Sequence, residues 1–164
     1  MARSTFVRIH LIASVAALAI VASFLASSAA VEVFGDESDI RAVKKTILAM
    51  LVVLIPLMVA AGMSGRRLAG RSRAAALRRK LQRTKAIGAT GLLVLVPCAI
   101  ALERLAAQDD FGPAFATVQG VELLGGTLNL TLLMLNLRDG MALRARRTAA
   151  ARRRRGAELA APSR

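Results

Sequence analysis

Apolar residues gather into four long runs, and the segments between them alternate between basic and acidic. The runs cover about Phe6–Ala30, Val43–Met63, Ala86–Leu105 and Phe115–Leu137. Each holds about 20 residues or more, and a helix of that length crosses a hydrocarbon core of about 30 Å. The pattern predicts an all-α fold, a four-helix transmembrane bundle. With 164 residues and 55% hydrophobic content, a soluble fold would have too little interior to hide four such runs. The expected organisation is one membrane domain over residues 1–143 and a basic, disordered cytoplasmic tail over 144–164.

The formal net charge is +14, and its placement matters more than its size. Between Ser64 and Lys85 lie Arg66, Arg67, Arg71, Arg73, Arg78, Arg79, Lys80, Arg83 and Lys85, with no acid among them. The tail after Leu137 is similarly rich in arginine. The other two connections are acidic: Glu32, Asp36, Glu37 and Asp39 in the first, Asp109 and Asp110 in the other. Lys and Arg collect on the cytoplasmic side of spans. The basic loop 64–85 and the tail are therefore expected inside, the acidic loops outside. Arg3 and Arg8 put the N-terminus inside too, so both termini are cytoplasmic and all four runs agree on one orientation. Neither Trp nor Tyr occurs, so Arg and Lys take over the anchoring of the cytoplasmic interface.

A basic start, an apolar run and Ser28-Ala29-Ala30 also fit a cleavable signal peptide. The run is longer than such a segment needs, and we read it as a retained span. Its small residues, Ala13, Ser14, Ala16 and Ala17 among them, allow close helix approach in lipid, so self-association into a homo-oligomer is expected. Pro56 predicts a kink in span 2, and Pro97 stands in the middle of span 3. The stretch Gly70–Thr84 reads as a basic amphipathic helix on the inner leaflet, binding anionic lipid headgroups. It reads equally as a solvated connector that serves topology alone.

Ionisable and amide groups within spans are costly, which makes them candidates for function. On span 4, Glu122, Asn129 and Asn136 recur every seven residues, close to two helical turns, and form one stripe with Gly125 and Gly126 between them. Lys44 and Lys45 open span 2 at the same outer level, and either could reach Glu122. The stripe is either a polar path for protons or ions, or a structural ion pair with interhelical amide bonds. On span 2, Lys44, Leu51, Ile55 and Met58 share a face, so an inward Lys44 brings Met58 inward as well.

His10 is the single histidine, about one turn inside span 1. Ser14 and Ala17 continue its face and leave room for a flat cofactor. Met58, Met63 and Met134 lie at similar depth. A histidine with a thioether partner is one way to hold haem iron between facing helices. That makes His10 a candidate metal ligand, with Ser14 and Met58 as further haem b contacts. A second histidine could come only from another subunit. The plainer readings are an interfacial histidine and methionines that pack. Cys98 stands alone, so neither an intrachain disulfide nor a cysteine zinc motif can form. No phosphate loop, dinucleotide fingerprint or metalloprotease motif occurs, which argues against an enzyme of those classes. Scarce aromatics and the lack of a soluble domain argue against nucleic acid as a partner.

Arg8-Ile9-His10, Glu32-Val33-Phe34-Gly35, Val43-Lys44-Lys45, Leu93-Val94-Leu95-Val96-Pro97, Glu122-Leu123 with Asn129, and Asn136-Leu137-Arg138-Asp139-Gly140 together resemble a group of small four-span bacterial inner-membrane proteins. The match runs over about residues 7–142. The resemblance implies the four-span layout, a location in the bacterial inner membrane, and His10, Lys44, Glu122 and Asn129 as positions to test. It also supports the haem reading through the histidine's place in the pattern. Where the group's pattern has Asn before the glycine of span 3, this chain has Thr90-Gly91, so no polar role carries over there. Three functions follow as expectations: a b-type haem protein in electron transfer or haem handling, a small transporter or channel-like module, and a lipid-binding accessory protein.

Overall fold

A computed structural model describes residues 3–69 and 75–160. Its regular elements are helices: α1 (Arg3–Phe34), α2 (Glu37–Ala69), α3 (Ala75–Thr90), α4 (Val96–Ala107) and α5 (Pro113–Ala160). A π-helical turn over Gly91–Leu95 joins α3 to α4. Among the described residues, four stretches are long and apolar enough to cross a membrane: Thr5–Phe34, Glu37–Leu68, Arg79–Ala107 and Pro113–Leu143. The predicted all-α, four-helix architecture is what the structure has.

The connections at the acidic end are short and built from local hydrogen bonds. Gly35 turns between α1 and α2. A Cβ there would meet the Val31 carbonyl oxygen at 2.8 Å, so a side chain does not fit without a shift. Asp36 then caps α2, its Oδ1 accepting from the Ser38 amide at 2.8 Å, the Ser38 hydroxyl at 2.7 Å and the Asp39 amide at 3.0 Å. Beyond α4, Asp109 takes a left-handed conformation with φ 56°, which Asp tolerates better than most residues. Pro113 opens α5, where its missing N–H costs nothing.

The π-turn has a local cause. Pro97 has no N–H to give the Leu93 carbonyl, and its ring crowds that carbonyl. The ladder widens just before it, and the Val96 N–H reaches back to the Gly91 carbonyl.

Two expectations change at the basic end. Residues 75–85 are not a separate interfacial helix, because α3 runs from Ala75 straight into the third span. Residues 70–74 of that expected segment lie outside the described residues. The tail is helical through Ala160, where α5 ends, rather than disordered from residue 144; residues 161–164 lie outside the described residues. Ala, Arg, Lys and Leu are strong helix formers, and neither Gly nor Pro interrupts 75–87 or 141–155.

α1 and α2 form a long hairpin, closed by Ala13, Ala17 and Val21 facing inward. At the acidic end Leu102, Ala106 and Phe115 make a buried plug, backed by Ile40, Leu105, Phe111 and Val118. The Phe111 and Phe115 rings meet edge to face at 5.2 Å, and Arg41 pairs with Asp109 over the top. α2 packs well on α4 but only lightly on α3. The bundle is therefore tight at the acidic end and splayed at the basic end. There Arg67 lies over the Phe6 ring at 5.2 Å, and Arg83 pairs with Asp139 at 2.7 Å. Ile12, Val52, Leu93 and Leu124 point outward, as lipid-facing positions do.

Candidate functional site

The splay leaves a cavity of about 1270 Å³ among α1, α2, α3, the π-turn, the start of α4 and α5. It starts near the basic end and stops beneath the plug. Most of its wall is aliphatic. Three of the polar groups on that wall, Glu122, Asn129 and Asn136, come from one face of α5.

The cavity ends at a buried ion pair. Lys44 Nζ donates to Glu122 Oε2 at 2.7 Å and to Ser28 Oγ at 3.0 Å. Ser28 Oγ in turn lies 3.4 Å from the same carboxylate oxygen and donates to it. Lys44 is 1% exposed and Glu122 13%. Of the two lysines considered, Lys44 makes the contact and Lys45 is exposed. Its position follows from the face predicted on α2: Leu51, Ile55 and Met58 line the cavity below it.

α5 reaches its neighbours closely through glycine. A Cβ on Gly125 would stand 3.0 Å from Leu95 Cδ2, and one on Gly126 3.3 Å from Leu25 Cδ1. Below them, Asn129 is 2% exposed. Asn136 Nδ2 donates to Thr84 Oγ1 at 3.2 Å, and the Thr84 hydroxyl donates to the Lys80 carbonyl at 3.0 Å. Among the described residues, Oδ1 of Asn129, Oδ1 of Asn136 and both amide atoms of Gln119 are buried without a partner.

His10 sits where α1 crosses the end of α2. Its Nδ1 lies 3.0 Å from the Ala61 carbonyl and 3.2 Å from Ser64 Oγ. A carbonyl can only accept, so Nδ1 carries the proton in this arrangement. The Ser64 hydroxyl donates to the Ala60 carbonyl, which leaves its oxygen free to accept from the imidazole. The ring lies against Gly65, where a Cβ would stand 3.0 Å from Cε1. Nε2 has no hydrogen-bond partner among the described residues. His10, Ser14 and Met58 all line the cavity. Met63 reaches its rim but is largely exposed, and Met134 points away from the bundle, 58% exposed. Arg66, Lys80 and Lys85 add positive charge at the basic end of the cavity.

Sequence reading missed two residues. Ser28 bridges the ion pair, and Gln119 lies above it, 4% exposed. Both had a signal: Ser28 extends the face of His10, Ser14 and Val21, and Gln119 extends the α5 stripe by three residues. Among the described residues, no three His, Cys, Asp or Glu side chains gather around a point where a metal ion could bind. The chain matches no protein-family profile, no curated protein and no solved structure.

Proposed function

We propose that this chain is a multi-pass membrane protein that holds haem b in the cavity, with His10 as the residue that would hold its iron, for electron transfer or haem handling. The observation that carries the reading is the seating of His10. Its Nδ1–H is held by a backbone carbonyl, the arrangement that orients ligating histidines and leaves the Nε2 lone pair for a metal. The ring lines a largely aliphatic space larger than the roughly 300–1000 Å³ of ordinary small-molecule pockets. Met58 lines the same space and would offer a thioether; a histidine from a second copy is the other group that would hold the iron. Arg66, Lys80 and Lys85 suit the carboxylates of an amphiphile whose body is buried. Haem would supply one-electron chemistry; the chain's part would be to orient the imidazole and neutralise the carboxylates.

In this reading the basic end faces the cytoplasm of a bacterial inner membrane, by the bias of Lys and Arg. The test is the visible spectrum of the purified protein from haem-replete cells. A Soret band that His10→Ala removes supports the assignment. A colourless preparation overturns it.

A further inference from the structure

Gln119 and the two asparagines of α5 need an explanation that haem does not give. Gln119, Glu122, Gly126, Asn129, Leu133 and Asn136 alternate at intervals of three and four, so they form one seam along the helix. From Gln119 to Asn136 the seam is 17 residues, about 26 Å at 1.5 Å per residue, close to the thickness of a hydrocarbon core. Four amide atoms on it are buried with no partner among the described residues. A buried polar group left unmatched costs about 1–3 kcal/mol, so such groups are normally met by internal water or a ligand. Apolar side chains would serve packing better at each of these positions.

We propose that the α5 seam is a proton path through water held by these amides, gated by the Lys44–Glu122 pair. Asn136 and Asn129 hold the file on the cavity side, where Glu122 is accessible. Gln119 holds it on the far side, one turn outward from Glu122 and beneath Phe115. A proton from water on the Asn129 side adds to the Glu122 carboxylate and forms an O–H bond. That removes the charge holding Lys44 Nζ. The same O–H bond then breaks toward water on the Gln119 side and restores the pair. One proton crosses, and nothing is oxidised or reduced. The groups facing Glu122 are Lys44 from α2 and the Ser28 hydroxyl from α1; from α4, the Cys98 thiol is within electrostatic reach. Opening the far side requires Phe115 to shift within the plug, which makes conduction gated rather than continuous.

The inference does not depend on haem, and its test uses the full chain carrying His10→Ala as well as the unsubstituted chain. Both are reconstituted in vesicles with a pH-sensitive dye inside and an imposed potassium diffusion potential. Proton uptake above that of empty vesicles is expected in both. Gln119→Leu and Asn129→Leu remove unmatched polar groups, so they should keep or raise thermal stability yet lose most of the flux. No flux above empty vesicles overturns the proposal. So does flux that both leucine variants preserve, because amides serving only as packing would not move it.

Discussion

Replacing Glu122 by Gln leaves an ammonium group at 1% exposure with no carboxylate beside it. Ser28 Oγ, at 3.0 Å, and the amide oxygen of the new glutamine can still accept from Nζ, but neither carries a charge. Removing one member of a buried pair costs about 3–5 kcal/mol, because the survivor keeps its desolvation penalty. At about 1.4 kcal/mol per decade, that is roughly two to three and a half orders of magnitude in the folding equilibrium. Lys44→Met should cost about as much, from the opposite side. The double variant, Lys44→Met with Glu122→Gln, removes both charges and should recover a large part of the loss. The assay is reversible unfolding in mixed detergent micelles, followed by helical circular dichroism for all four corners of the cycle. A coupling of about 2 kcal/mol or more is expected for charges in direct contact. Additive single losses, or a Glu122→Gln protein as stable as the parent, would refute a coupled ion pair at this position.

Other predictions follow from individual contacts. Gly65→Leu pushes a side chain into the His10 ring, so on the proposed haem reading it should cut haem occupancy in the visible spectrum while helical content holds; unchanged occupancy would separate the ring's position from binding. Gly125→Val brings a branched side chain against Leu95 and should cost about 1–3 kcal/mol by overpacking, read in the same unfolding assay. The Ser38 hydroxyl and the Asp39 amide hold the Asp36 carboxyl below the ordinary aspartate range. Its capping contribution should be complete above the unfolded aspartate value and fade as pH falls through the lower folded value. The stability gap between the parent and Asp36→Ala should therefore close in acid, and a gap constant with pH would contradict the cap. Reporters fused after residue 68 and after residue 160 should mark the same face of the membrane.

The layout was legible because lipid-sized apolar runs and alternating loop charge both report span count, and neither depends on tertiary contacts. The Glu122, Asn129 and Asn136 stripe was equally legible, since seven residues nearly complete two turns. Lys44 was chosen over Lys45 only by three-dimensional register, which no local pattern encodes. The methionines show the same limit. Met58 follows Lys44 by two heptads and turned inward with it, whereas Met134 was placed by depth alone and faces out. The basic stretch went unread as part of the third span because hydropathy finds where lipid contact ends, while helix propensity carries the rod further. The seat of His10 on Ala61, Ser64 and Gly65 depends on how two helices cross, and sequence spacing holds no record of that.

The widened turn at Gly91–Leu95 fits one more residue into the third span than a uniform α-helix would place there. One residue is about 100° of rotation. The turn thus sets the angular offset between the half of the rod that closes the plug and the half that borders the cavity. Deleting a single residue within it would restore regular winding with both halves in place; replacing Pro97 by Ala with every residue kept would let the turn rewind as α-helix, carry Thr84 and Lys80 around the axis, and strip Asn136 of its hydroxyl partner while the plug stayed intact.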